Sequence, residues 1–162
     1  MTRGMDVETK GDLEIIVTRK FDAPARLVFA AHEKPELVKR WMYGPDGWDW
    51  EKCEIDFRTG GRFHYVWKHS TGGQILTIHG QFREIVRPSK IVMSEMMDGD
   101  DPKDATITTV TFREHGGVTT MVMAQVYASK ETRDMMAEHM PVGLEAGYAR
   151  LDAIFAEMGS AA

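Results

Sequence analysis

Apolar and polar positions change period twice along the chain, and the two changes divide it into three regions. Leu13 to Phe21 is rich in β-branched residues and ends at Asp22-Ala23-Pro24, which predicts a strand. Pro24 suits the opening of a short helix whose apolar face is Leu27, Val28, Ala30 and Ala31. Lys34-Pro35 breaks that helix and starts another, Glu36 to Trp41, with Leu37, Val38 and Trp41 turned inward. Neither is long enough to stand alone, so both must pack on something larger.

After the turn-rich Tyr43-Gly44-Pro45-Asp46-Gly47 the period becomes that of strands. Cys53, Ile55 and Phe57 alternate with Glu54, Asp56 and Arg58, and Thr59-Gly60-Gly61 reverses the chain into Phe63, Tyr65 and Trp67. A long strand runs from about Gln74 to Val86, with Gly80 expected to mark a bulge or bend. Further strands are expected over Lys90–Met97, Ala105–Arg113 and Val118–Ala128.

The last region has helical period. Ser129 can cap it, and Met136, Met140, Gly143, Gly147, Leu151, Ile154 or Phe155, and Met158 form one stripe. Pro141 is expected to kink or interrupt this helix. The two glycines share a face one turn apart and cost about 1 kcal/mol each relative to Ala, so something bulky, a strand or a ligand, should approach there. Together these elements predict an α+β protein: a curved antiparallel sheet of about six or seven strands covered by one long C-terminal helix, with two short helices after the first strand. One helix is too narrow to fill a wide curved sheet, which leaves space between them. The expected organisation is a flexible N-terminus over 1–12, one domain over 13–158 and a flexible tail over 159–162.

Composition narrows the function. At 162 residues and 43% hydrophobic content the chain can build a core, and a net charge of −5 argues against nucleic acid as a partner. No apolar run approaches the ~20 residues of a membrane span, and the first residues lack the apolar stretch of a secretory signal. A cytoplasmic protein with no membrane partner is expected. The single cysteine, Cys53, excludes an internal disulfide and a cysteine-based zinc site, and on its strand it reads as a small buried hydrophobe. Phosphate-loop, dinucleotide and nucleophile-elbow motifs do not occur. Asp98, Asp100, Asp101 and Asp104 share a surface loop whose glycine is misplaced for calcium. His32, His115 and His139 are expected at the surface, and His64 and His69 on opposite sides of their strand. No metal, cofactor or catalytic residue is assigned.

Twelve methionines and a run of aromatics remain to be explained. They suit either a filled core or an adaptable cavity. The cavity reading names Trp41, Trp48, Phe57, Phe63, Tyr65, Trp67, Met93, Met121, Met123, Met136 and Met140 as lining, with Gly143 and Gly147 behind them. Tyr65, His79 and Gln125 would orient a ligand, the tryptophan indoles add polar handles, and Glu84 or Glu95 would have a raised pKa if it faces the pocket.

Several local motifs carry a family resemblance: Thr18-Arg19-Lys20-Phe21-Asp22-Ala23-Pro24 with Val28-Phe29, Asp56-Phe57-Arg58-Thr59-Gly60-Gly61-Arg62-Phe63, Gly80-Gln81-Phe82-Arg83-Glu84-Ile85 followed by Pro88, Val110-Thr111-Phe112, and Gly143-Leu144-Glu145-Ala146-Gly147. In this order they resemble the activator-of-Hsp90-ATPase-like branch of the START/Bet v 1-like (SRPBCC) superfamily, over about Leu13 to Met158. The resemblance implies a helix-grip fold with a hydrophobic cavity between sheet and C-terminal helix, and no fixed activity. The expected function is binding of a small hydrophobic or amphipathic molecule. The alternatives are a cyclase or lyase using the same cavity, and an Hsp90-type co-chaperone or stress-response protein using the outer surface, with the chaperone the less favoured partner. A homodimer is left open.

Overall fold

A computed structural model describes residues 4–160. Eight strands form one antiparallel sheet: β1 (Met5–Lys10), β2 (Glu14–Phe21), β3 (Trp48–Ile55), β4 (Arg62–His69), β5 (Ile75–Val86), β6 (Lys90–Met96), β7 (Thr106–His115) and β8 (Val118–Val126). Their order across the sheet is β1-β2-β8-β7-β6-β5-β4-β3, so only the β2–β8 pairing joins strands distant in sequence. The helices are α1 (Ala25–Glu33), α2 (Pro35–Trp41) and α3 (Lys130–Ser160). This is the helix-grip fold, with more strands than the alternation predicted.

The additional strand is β1, in the stretch expected to be flexible. Gly11, at φ 58°, makes the tight reversal, and Met5 to Lys10 pair with Arg19 to Glu14. Half-buried Met5 and Val7 pack on the core, which gives this short strand its hold. At the other end Gly159 and Ser160, expected in a loose tail, are the last residues of α3; the rest of that tail lies outside the described residues.

The inward face repeats every second residue. Ile15, Val17, Arg19 and Phe21 on β2 lie beside Met121, Met123 and Gln125 on β8, then Thr108, Val110 and Phe112 on β7. Phe82 on β5 and Phe63, Tyr65 and Trp67 on β4 continue it. The bulge in β5 lies between Phe82 and Glu84 rather than at Gly80. Gly80 serves a different need: a Cβ there would lie 1.7 Å from the Ser94 carbonyl oxygen and 2.7 Å from Phe63 Cζ. Alternation therefore runs straight through Gly80.

Helix α3 is capped by Ser129, whose Oγ accepts from Thr132 N at 3.2 Å, and it runs through Pro141 without interruption. Two buried arginines hold it. Arg133 donates to the carbonyls of Gly11 (2.9 Å) and Glu14 (3.2 Å), beside the β1–β2 turn. Arg19, 4% exposed on β2, reaches Asp152 through two hydrogen bonds of 3.0 and 2.6 Å. Beyond Gly147 the helix is well packed, with Tyr148, Leu151, Ile154 and Phe155 buried. Before it, Arg133 alone is buried.

His32, expected at the surface, is half-buried with its ring edge-on to Trp41 and Phe112 at 5.0 and 5.2 Å. Burial lowers its pKa to about 4, although the Val28 carbonyl contact acts the other way.

Two consequences follow for stability. Gly80→Ala should destabilise by about 3 kcal/mol, read as a fall in the urea midpoint, because the clash is with backbone that cannot rotate away. For His32 the folded pKa lies below the unfolded value of 6.5, so the unfolded chain binds the proton more readily. Stability is fully present above pH 6.5 and falls as pH drops toward 4. His32→Leu should flatten that fall by on the order of 2 kcal/mol in denaturation curves at pH 7 and pH 4.5.

Candidate functional site

The helix–sheet seam holds two pockets on either side of Ile78, which lines both. The first has a volume of about 280 Å³ and almost wholly apolar walls. Its floor is Trp67, Leu76 and Ile78 from β4 and β5, its helical wall is Met140, Gly143, Leu144 and Gly147, and Trp41 to Pro45 with Trp48 close it.

The glycines of α3 explain how the loop after α2 comes so near. A Cβ on Gly147 would lie 3.0 Å from the Trp41 carbonyl oxygen and 3.2 Å from its ring, and one on Gly143 would lie 3.5 Å from both Gly44 and Pro45. The bulky neighbour that the glycines predicted is thus α2 and its following loop. Arg150 fastens that loop. Its guanidinium stacks 3.7 Å from the Tyr43 ring centroid, donates to the Trp41 carbonyl at 3.2 Å, and reaches Asp46 at 3.3 Å. The indole N–H groups of Trp41 and Trp67 are engaged too, on the carbonyls of Ala31 (2.9 Å) and Met42 (2.8 Å). They are structural ties, not the polar handles expected of them. Trp50 Nε1 is buried with no hydrogen-bond partner among the described residues.

The second pocket, about 470 Å³, is different in kind. Met96, Met97, Met135 and Met136 give it soft apolar walls, and Glu95, Thr106, Gln125 and Tyr127 give it a polar base. The base is wired together. Tyr127 OH donates to Gln125 Oε1 at 2.7 Å, Gln125 Nε2 lies 3.3 Å from Thr108 Oγ1, and Thr108 Oγ1 donates to Glu95. Burial raises the Glu95 carboxyl above its ordinary range, and hydrogen bonds from Thr108 and Gln125 pull it part of the way back. The Tyr127 phenol is raised by the same burial and by the nearby Glu95 charge.

Of the residues expected to form one cavity, Trp41, Trp48, Trp67, Met140, Gly143 and Gly147 line the first pocket, and Gln125 and Met136 line the second. The others line neither. Met121 and Met123 are packed into the core, Phe63 and Tyr65 are buried among aromatics, and Met93 packs against the same core. Phe57 sits at the far end of the sheet, edge-on to Phe29 and Phe82 at 5.7 and 4.9 Å. His79 is on the outer face. Its Nδ1 lies 3.0 Å from Asp98, because the strand keeps its alternation past Gly80. Glu84 is exposed and pairs with Lys90 at 2.7 Å. Cys53 is half-buried. Sequence reasoning missed Tyr43, Leu76, Ile78 and Leu144 in the first pocket and Met96, Met97, Tyr127 and Met135 in the second, although Ile78 follows from the inward period of Gly80 and Phe82. Among the described residues no cluster of His, Cys, Asp or Glu is arranged to hold a metal ion, and no helix is long and apolar enough to cross a membrane.

Residues 22–156 match the family model described as Activator of Hsp90 ATPase homolog 1-like protein. The chain belongs to this family. Solved structures share its fold. A Rhodobacter sphaeroides protein is 25% identical with a TM-score of 0.86, covering 95% of this chain and 99% of its own. Protein Ms6760 from Mycobacterium smegmatis is 21% identical with a TM-score of 0.82, covering 96% and 99%. CalU16 from Micromonospora echinospora is 20% identical with a TM-score of 0.57, covering 92% and 94%. No curated protein matches the chain.

The Arg150 tie is open to a direct check. Arg150→Ala should lower stability by about 1 kcal/mol and speed amide hydrogen exchange in the loop from Met42 to Gly47 well beyond any change in β7 and β8.

Proposed function

We propose that this Hsp90-activator-like protein binds a small hydrophobic or amphipathic molecule in the seam between its sheet and α3. The observation that carries the reading is the pocket of about 280 Å³ whose walls are almost wholly apolar although it opens to solvent. Apolar surface left wet in this way costs roughly 25 cal/mol per Å² relative to covering it, so a ligand of matching shape gains that free energy on entry. Two of the indoles on its walls, Trp41 and Trp67, already have carbonyl partners, and with almost no polar surface left on the walls shape and burial are the source of affinity there.

An enzymatic reading, a lyase or cyclase acting in the same seam, has one observation behind it: a carboxyl of raised pKa, Glu95, faces the second pocket. A general acid or base works on a proton of the substrate, usually with a second titrating group or a nucleophile beside it. The groups hydrogen-bonded to Glu95 are Thr108 and Gln125, which orient and polarise a carboxyl without exchanging protons at neutral pH. Binding is therefore the reading the geometry supports better.

The neutral naphthalene dye prodan tests it. One equivalent should bind with a blue shift and quench Trp fluorescence, and Leu144→Trp, which fills the first pocket, should weaken binding at least about tenfold. Absence of binding by prodan and by a set of neutral aliphatic and aromatic alcohols would remove the proposal.

A further inference from the structure

The second pocket has a polarity that the first lacks, and the side chains of its base form one hydrogen-bonded row. Tyr127 donates to Gln125, Gln125 donates through its amide nitrogen toward Thr108 and Glu95, and Thr108 donates to Glu95. The row ends on Glu95, and hydroxyl and amide donors set against a carboxyl favour its charged form, which burial alone opposes. Glu95 itself lines the pocket, where among the described residues no Lys, Arg or His lines the wall to neutralise it. Around the mouth stand Asp100, Asp101 and Asp104, which add the same sign of charge; Lys103 lies near Asp101 at 3.7 Å but is 77% exposed.

We infer that the second pocket is a site for an organic cation of the alkylamine class, its ammonium docked on Glu95 and its hydrocarbon part along Met96, Met97, Met135 and Met136. The inference deepens the ligand-binding reading but rests on a different pocket. A half-buried carboxylate is poorly hydrated, so an ammonium brings it both a counter-charge and donors, and a charge-assisted hydrogen bond is about twice as strong as a neutral one. An anion would meet four carboxylates and, among the described residues, no cation on the wall. An alcohol would satisfy a lone pair but leave the charge unpaired. A bare metal ion would find one buried ligand and hydroxyl or amide groups, and no suitable cluster occurs among the described residues. The methionines suit the rest of the molecule, because unbranched thioethers reshape around chains of different length and are polarisable toward a cation.

The test compares three eight-carbon probes at neutral pH, octylammonium, octan-1-ol and octanoate, by isothermal titration. Octylammonium should bind at least about tenfold more tightly than octanol, and octanoate more weakly than either. Glu95→Gln should bring octylammonium to within about twofold of octanol while leaving octanol unchanged, and Thr108→Val should reduce the preference by several fold. Leu144→Trp fills the other pocket and should leave the ammonium preference intact. Equal affinity for octylammonium and octanol, a preference that survives Glu95→Gln, or its loss in Leu144→Trp overturns the inference. Should Glu95→Gln fail to fold, nuclear Overhauser contacts between the ammonium-bearing methylene and the Tyr127 ring of the unaltered protein decide the matter: their presence supports the site and their absence removes it. Failure of prodan to bind alongside an intact ammonium preference would sink the first reading and leave this one standing.

Discussion

Two buried arginines determine where α3 lies, and the pockets follow from that. Arg133 grips the carbonyls beside the β1–β2 turn, and Arg19 reaches out of β2 to Asp152. Nearly twenty residues of helix lie between these anchors, close to 28 Å at ~1.5 Å per residue. Removing one partner of a buried ion pair strands a charge at a cost of several kcal/mol, whereas the pair itself adds little beyond a hydrophobic substitute. Their importance is therefore positional. Both anchors use β1 and β2 at one margin of an eight-stranded sheet, so the helix is tied to that side. At ~4.8 Å per strand the sheet is some three helix-diameters wide, and one helix cannot cover it.

The structure closes the uncovered part in two ways. Beyond Gly147, large side chains fill the gap directly: Tyr148 and Phe155 stand edge-on to Phe21 at 5.6 and 5.7 Å. Before Gly147, the loop after α2 comes in over β4 and β5, admitted by the absent side chains of Gly143 and Gly147 and held by Arg150. The closure is partial, since a loop spans a gap without filling it. The first pocket is what remains beneath the loop, and the second is what remains beneath the opening turns of the helix.

Much of this architecture was legible, because alternation and helical period report which residues must share a face. The strands from β2 onward, the Ser129 cap, the turn at Gly60-Gly61 and the closeness demanded by the α3 glycines all follow from local patterns. What was not legible is of another kind. His79 shows it best: a glycine in a strand has two uses, a bulge or a close approach, and the two put the neighbouring residue on opposite faces. Here the bulge falls beyond Phe82, so His79 points away from the seam. Met121 and Met123 were correctly turned inward, but facing inward does not distinguish a packed residue from a pocket wall. That difference depends on where a helix crosses the sheet, and this was set by Arg133, Arg19 and Asp152, whose partners are far away in sequence. Strand β1 was missed because its alternation is short and mostly exposed, and it is held by pairing with β2 more than by burial.

The division of labour among the methionines bears on specificity. Met121 and Met123 help to make a rigid floor, while Met96, Met97, Met135 and Met136 stand around an opening where Met97 and Met135 are exposed. A wall of unbranched side chains loses little by changing rotamer, so it discriminates poorly among hydrocarbon shapes. The polar base below it cannot adapt in the same way: Thr108 and Gln125 are buried in adjacent strands and face each other in the β7–β8 register. A tolerant wall above a fixed base selects for the head of a molecule and not for its tail. In the first pocket that order is reversed, since the Trp41 and Trp67 indoles are already bonded to carbonyls and the walls are almost wholly apolar, so that shape is left to select. An amphipathic molecule is the chemistry that uses such a seam, because the two ends of the seam ask for different things.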